Sequence, residues 1–474
     1  MKCCLATALP VSSTHKEATP LIKGNATSMR ALFWVIFPAL LGTSIEFYEY
    51  ALYSSLTTEI THNFFQIGGP TFGEYGVWTV FGIGQAFRPI GALTFGMLSD
   101  NFGRKPSIVL STVGMIVFTS GIGLLPTETC CEGWGATVGL VLLYVLRAGQ
   151  GLTAAGELIS VMAFAVEHAP FGHAGFAFAL VLCAANAGSL VAATFVSVLE
   201  STLNESDMMH WGWRIPFLCA LPVGLAIVYA QLHMPEPEAF IKAASEAKEQ
   251  GFCKSVKPYR RQLFIATTAS CLHTTFHYGC LSYIKDFLIS RDLQTVSMAS
   301  WVSVAASIMI LFAQLSSGLL ADAVGFSKLS VSMVVSTILC ALPLWLMLVY
   351  AGKGGALCFV AVTIWSILYS SNVPILSLGL CLFPVNVRTT LFGICYNVAQ
   401  LAFGATAPFI ENAMVDAFVP QQSNNQTDST PLELGYAAPA IWNLIAASVT
   451  LVGLLYYCRS VHIGVIEPSS IGPF

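Results

Sequence analysis

Gly96-Met97-Leu98-Ser99-Asp100-Asn101-Phe102-Gly103-Arg104-Lys105 has a second copy 222 residues on, in Gly318-Leu319-Leu320-Ala321-Asp322-Ala323-Val324-Gly325-Phe326-Ser327-Lys328. Gly, Leu, Asp and Gly recur at that constant offset, close to half of the 474-residue chain. Each copy closes an apolar run about 20 residues long, the length that crosses a hydrocarbon core. A polar turn repeated at this period points to two structural halves built on one plan. Within the turn, glycines let helices approach closely. Asp100 is placed to accept from the first amides of the helix that follows, where its charge suits the positive helix end. Arg104 and Lys105 can then clip the turn to a neighbouring span or to a lipid phosphate. Such a motif is a latch and carries no catalytic chemistry.

Working outward, about 12 apolar runs appear. In the first half they lie near 31–56, 74–98, 107–125, 135–160, 175–199 and 213–233. In the second they lie near 262–289, 298–320, 329–350, 355–382, 389–414 and 436–457. They are continuously apolar, without period-two alternation, so helices are expected and a barrel is not. The expected architecture is an all-α membrane protein of two six-helix bundles, 31–234 and 262–457. A tail (1–30), a polar central loop (235–261) and a second tail (458–474) complete it. Composition agrees: 55% hydrophobic and 10% charged residues are too few charges to cover a soluble protein of this size. A net charge of −4 gives no footing for nucleic acid. The 14 cysteines sit mostly in apolar runs, and no Cys/His spacing resembles a zinc site. Neither a required disulfide nor a metal or cofactor is expected.

Lys and Arg set the orientation. With the N-terminus inside, inner segments hold 15 of the 21, outer segments hold Arg291 and Lys353, and Arg88, Arg147, Arg214 and Lys285 fall in or at the edge of spans. Both termini are therefore expected in the cytoplasm, the protein in the plasma membrane, and the chain monomeric. Asn204-Glu205-Ser206 and Asn425-Gln426-Thr427 fall in expected outer loops, where glycosylation is feasible in a eukaryotic cell.

Several stretches then converge on one family. Gly96 to Lys105 resembles the signature loop of the major facilitator superfamily. Others resemble its metabolite:proton symporter branch, the proline/betaine, dicarboxylate and shikimate type. They are Gly42 to Tyr53, Phe87-Arg88-Pro89-Ile90-Gly91-Ala92, Arg147-Ala148-Gly149-Gln150-Gly151 on to Glu157, Glu167-His168-Ala169-Pro170, Trp211 to Phe217, and Phe383-Pro384 through Arg388 to Asn397, Gly404 and Pro408. The resemblance implies alternating access around a central pocket and a role for Arg147 in proton coupling or substrate binding. The chain departs from the pattern in three places. Phe47-Tyr48-Glu49-Tyr50 replaces Trp-Tyr-Asp-Phe, glycines before the fourth-span Glu are partly replaced to give Ala155-Gly156-Glu157, and basic residues after Pro170 give way to Phe171-Gly172-His173-Ala174.

Ionisable residues inside spans are functional candidates because burying them is costly. Glu46 and Glu49, three apart, share a helix face and form the leading candidate pair for proton coupling, with Arg147 and Glu157 beside them. Glu46 could instead sit in a fixed ion pair with Arg88 or Arg147 that holds helices together. A substrate carboxylate competing for a buried guanidinium would couple binding to protonation. Candidate substrate contacts are Tyr48, Tyr53, Arg88, Arg147, His277, Tyr278, Tyr283 and Asn397. The tyrosine faces could hold an ammonium group, and Tyr48 and Tyr53 align with Tyr278 and Tyr283 at an offset of 230. Gly96, Asp100, Gly103, Arg104, Lys105, Glu167, Asp322 and Arg388 form the candidate gate, with Arg104 and Glu167 as an inner ion pair. The expected function is proton-coupled symport of a small zwitterion or organic acid. A proton-independent uniporter of the same fold and a non-transporting nutrient receptor are the alternatives. No catalytic grouping or nucleotide loop supports an enzyme.

Overall fold

The computed structural model describes residues 28–65, 70–127, 134–246, 257–291, 293–351, 356–418 and 435–462. Most of the N-terminal tail, Cys130 and Cys131, the Asn425 sequon and the end of the C-terminal tail lie outside them. Secondary structure among the described residues is helical. The chain runs through α1 (Met29–Ser55), α2 (Thr57–Phe64), α3 (Pro70–Phe102), α4 (Arg104–Gly123), α5 (Trp134–His168), α6 (Ala174–Thr202), α7 (Arg214–Gln231) and α8 (Glu238–Glu246). The second half follows with α9 (Arg260–Thr275, a π-helical segment Phe276–Tyr283, then Ile284–Ser290), α10 (Val296–Val324) and α11 (Phe326–Tyr350). It ends with α12 (Ala356–Cys381), α13 (Arg388–Ala399, a π segment Gln400–Gly404, then Ala407–Phe418) and α14 (Pro439–His462).

Nine of these helices are long and apolar enough to cross a membrane: α1, α4, α5, α6, α7, α10, α11, α12 and α14. The expected second, seventh and eleventh spans correspond to α3, α9 and α13. In α3 the buried Gln85 and Arg88 dilute the apolar run, whereas α9 and α13 are each broken by a π-helical segment, which leaves leading helices of 16 and 12 residues. Large apolar side chains such as Leu110, Val145, Phe312 and Leu339 are exposed on the outer faces, as a lipid-facing surface requires. Buried Ser, Thr and Gln side chains return hydrogen bonds to backbone carbonyls, for example Ser317 Oγ to Ser370 O at 2.9 Å.

The repeated turns are built alike. A single glycine, Gly103 (φ 116°) or Gly325 (φ 100°), separates α3 from α4 and α10 from α11. That left-handed backbone explains why glycine recurs at both positions. Inside the first half, α3 packs on α5 and α1 on α6 so tightly that a Cβ on Gly91 would strike Leu152 O and one on Gly188 would strike Ser44 O. Between the halves run two seams. In the α3–α13 seam a Cβ on Gly96 would lie 2.6 Å from Thr390 Cα. In the α6–α10 seam one on Gly175 would lie 2.7 Å from Gly318 O.

Because the clash at Gly91 is with backbone, no rotamer relieves it. Gly91→Val is expected to destabilise the protein by about 3 kcal/mol or more, at the upper end for overpacked cores. Thermal unfolding in detergent, followed by size-exclusion chromatography, checks this; an unchanged midpoint would contradict the packing.

Candidate functional site

Glu46 and Glu49 do lie on one buried face of α1, but each has its own guanidinium. Arg88 on α3 donates Nη2 to Glu46 Oε1 at 2.9 Å and Nε to Asn397 Oδ1 on α13 at 3.3 Å. It therefore touches both halves. One turn along α3, Gln85 Oε1 accepts from Gln400 Nε2 at 2.9 Å, and Gln400 Nε2 also donates to the Tyr278 hydroxyl at 2.6 Å. Around these groups is a small cavity of about 10 Å³, room for a single water, lined by Glu46, Phe47, Tyr50, Arg88, His277, Tyr278, Tyr396 and Gln400. Its second-half wall is ordered by histidine–tyrosine pairs: His277 Nδ1 with the Tyr369 hydroxyl at 3.1 Å and His273 Nε2 with the Tyr396 hydroxyl at 3.3 Å. Tyr50 meets Tyr278 edge-on at 5.6 Å. Two of the three π-helical segments among the described residues sit here, at Tyr278 and Gln400, the third being Met208–Gly212, and such insertions are frequent at functional sites.

The other guanidinium is sealed away. Arg147 pairs with Glu49, donates to Gln150 Oε1 at 2.8 Å, and lies 4.1 Å over the Tyr53 ring. Gln150 in turn donates to Thr119 at 3.0 Å. None of these residues lines the cavity. Glu157 is fully buried within the first half, where Oε2 accepts from Ser111 at 2.6 Å and Thr112 at 3.0 Å while Oε1 has no hydrogen-bond partner. Tyr48 turns away to donate to Pro216 O at 3.0 Å, and Tyr283 bonds Asn412 at 3.4 Å. Of the expected substrate contacts, then, Arg88, His277, Tyr278 and Asn397 converge. Tyr48, Tyr53, Arg147 and Tyr283 stand outside the cavity. Gln400, a lower-rank polar candidate from the sequence, joins it, as do Phe47, Tyr50 and Tyr396; Tyr50 was findable as the residue one helical turn beyond Glu46.

At one end of the bundle the repeated motif closes both seams, though not as its sequence suggests. Asp100 does not cap the helix after it. Its carboxylate crosses to the start of α13, accepting from Thr389 N at 3.2 Å, Thr390 N at 2.8 Å and both threonine hydroxyls. The amides of Arg104 and Lys105 at the start of α4 go instead to Glu236, which leads into α8. Burial pushes the Glu236 carboxyl above the usual carboxylate range, against the pull of those two donors. Arg104 reaches no lipid. It is fully buried, paired with Asp100 at 2.7 Å and doubly with Glu167 at 2.9 and 3.1 Å, and donates to Val385 O at 2.6 Å. Arg388 donates to Glu167 at 3.0 Å, and Phe240 of α8 packs on the Arg104 guanidinium at 5.1 Å. In the other seam Asp322 makes the mirror-image contact, accepting from Gly175 N at 2.7 Å and Phe176 N at 2.9 Å at the start of α6. Each aspartate thus stabilises a helix N-terminus of the opposite half.

Comparison with known proteins agrees with this geometry. The Major Facilitator Superfamily family model matches residues 24–408. The chain belongs to that superfamily. It is 27% identical to an ectoine/proline transporter of Corynebacterium glutamicum, over 90% of this chain and 84% of that one. It is 29% identical to an alpha-ketoglutarate permease of Escherichia coli (82% and 88% covered) and 25% identical to a proline/betaine transporter of the same species (78% and 75%). In fold it matches the proton:xylose symporter XylE bound to a bromodeoxyglucose, with a TM-score of 0.71 at 13% identity, covering 91% of this chain and 96% of that one. The protein is a multi-pass membrane transporter and not an enzyme.

Asp100→Asn places an amide group against the Thr389 and Thr390 amides, leaving donors facing donors. Transport is expected to fall about tenfold, the equivalent of losing one charge-assisted contact. Solute uptake normalised to membrane protein level measures it, and full activity would remove the latch from the mechanism.

Proposed function

We propose that the protein is a proton-coupled symporter of a small carboxylate-bearing solute, and that Glu46 and Arg88 are the coupling pair. The observation that carries this is the position of Arg88: on the cavity wall, bonded to Glu46 in one half and Asn397 in the other. With Glu46 ionised, Arg88 is neutralised and a solute carboxylate has no free cation. A proton on Glu46 breaks the ion pair and leaves a buried, uncompensated guanidinium, which costs several kcal/mol until a carboxylate replaces it. Proton and solute therefore load together. After the halves rock and the latch opens, loss of the proton restores the Glu46–Arg88 pair and expels the solute. Arg147 and Glu49 hold α1 to α5 throughout, and Glu157 stays inside the first bundle as a buried carboxyl away from the pocket.

The solute class follows from the rest of the lining. Phe47, Tyr50, Tyr278 and Tyr396 offer ring faces suited to an ammonium group, and Arg88 offers one carboxylate site. A zwitterion of the proline or betaine kind, named for two of the relatives, fits both ends. We assign the chain 12 spans in two six-helix bundles. The Lys and Arg bias supports placing both termini, and so the latch end, in the cytoplasm; the plasma membrane is the proposed location.

In proteoliposomes, wild-type proline uptake is expected to accelerate with an acid-outside gradient. Glu46→Gln should lose that acceleration while retaining solute exchange. Uptake by the wild type that ignores the gradient would make the protein a uniporter, and binding without uptake would make it a receptor. Arg88→Lys keeps the charge but loses the forked geometry that reaches Glu46 and Asn397 at once, so uptake should fall at least tenfold, roughly the cost of a misplaced charged hydrogen bond.

A further inference from the structure

The side-chain amide of Gln400 is held by its nitrogen end. Both hydrogens of Nε2 are spent, one on Gln85 Oε1 at 2.9 Å and one on the Tyr278 hydroxyl at 2.6 Å. Those two bonds fix which way round the amide lies and leave Oε1 as its free end. Oε1 is buried and has no hydrogen-bond partner among the described residues, and Gln400 lines the central cavity. Glu46 Oε2 is also without a partner, but Glu46 takes the proton in the mechanism above. Other polar groups of the wall are engaged: His277 Nδ1 with the Tyr369 hydroxyl, the Tyr396 hydroxyl with His273, and the Tyr278 hydroxyl with Gln400 itself. The pocket therefore offers an incoming solute a guanidinium, ring faces and a spare acceptor.

We propose that Gln400 selects the solute by its nitrogen: Oε1 accepts a hydrogen bond from the charged ammonium, so the transported zwitterion carries at least one N–H. This rests on the zwitterion reading above and narrows it. The rings hold any ammonium group and do not tell one kind from another. A quaternary ammonium has no hydrogen to give and leaves the buried oxygen unpaired, and a second carboxylate in its place sets acceptor against acceptor. The spacing suits a compact solute. Gln85 and Arg88 on α3 pair with Gln400 and Asn397 on α13 in antiparallel register, so the acceptor stands about 4.5 Å along the bundle from the level of Arg88. The carboxylate and nitrogen of one α-amino acid bridge that gap. The cavity of the closed state is too small for such a solute, which enters when the halves part. The bond from Gln400 to Tyr278 lies within the second half and survives that separation, so the acceptor is aimed before the solute arrives.

The test reads binding and needs neither gradient nor transport. L-Proline, N-methylproline, N,N-dimethylproline and 2-oxoglutarate are titrated calorimetrically into the full-length protein in detergent at mildly acidic pH. The first two keep an N–H; the third keeps the ring, the carboxylate and the charge but has none. Proline and N-methylproline should bind alike, and dimethylproline at least roughly tenfold more weakly, the size expected for a buried acceptor left unpaired. Gln400→Met should bring dimethylproline level with proline, whereas Gln400→Glu keeps an acceptor oxygen and should keep the preference. Dimethylproline bound as tightly as proline by the wild type overturns the proposal and leaves the zwitterion reading standing. So does a preference undiminished in Gln400→Met, which would place the selection on another residue. Tighter binding of 2-oxoglutarate than of any proline, or no binding of any of the four, overturns both. If Gln400→Met does not fold, the wild-type series and Gln400→Glu decide.

Discussion

A carboxylate laid across a seam onto the N-terminal amides of a helix in the other half is the contact on which this architecture turns. The first amides of a helix have no partner within it. Buried at an interface they would cost more than most side-chain contacts repay. Asp100 removes that cost for α13 and Asp322 removes it for α6. The closed state of each seam is thus a way of completing another helix, and separation of a seam exposes two amides at a stroke. This makes the two halves bistable: a partly open seam satisfies neither the aspartate nor the amides.

The same reasoning orders the charges deeper in the bundle. Four arginines are buried among the described residues, and each is matched by at least one carboxylate: Arg88 with Glu46, Arg147 with Glu49, Arg104 with Asp100 and Glu167, and Arg388 with Glu167. Removing a partner from such a pair is far more costly than never having had it. What separates the pairs is access. Arg147 is boxed in by Tyr53 and Gln150, Arg104 by Phe240 and Val385 O, whereas Arg88 faces a cavity and touches both halves. An ion pair that can exchange partners needs room on one side.

Much of this was legible in the chain. The repeated turn, the apolar runs and the uneven Lys and Arg distribution lead to a two-half membrane transporter, and the superfamily match supports that reading. Helical phase explains the mixed result at the pocket. Tyr50 stands one turn from Glu46 and shares its face, while Tyr48, about 200° round the helix, points at α7. Glu49 shares the face too, yet it lies about 4.5 Å along the axis, far enough to meet a different helix and a different arginine. Backbone partners were the harder part. Asp100 could be seen as a helix cap, but nothing in its neighbourhood of sequence says that the capped helix begins at Arg388, or that Glu236 serves the helix beside it. Amides carry no residue-type signature, so a contact made to them is invisible until the fold brings the two segments together.

Glu236 has a mechanical consequence. It lies on the segment that joins the halves, and through Arg104, Lys105 and the Phe240 contact it ties that segment to the α3–α13 seam. Among the described residues no such strap crosses the α6–α10 seam, which is held by Asp322, by Asn186 Nδ2 donating to Gln314 Oε1 at 3.1 Å and by close glycine packing. The joining segment is therefore fastened to one seam and not to the other, so a shift of α3 against α13 pulls on it directly.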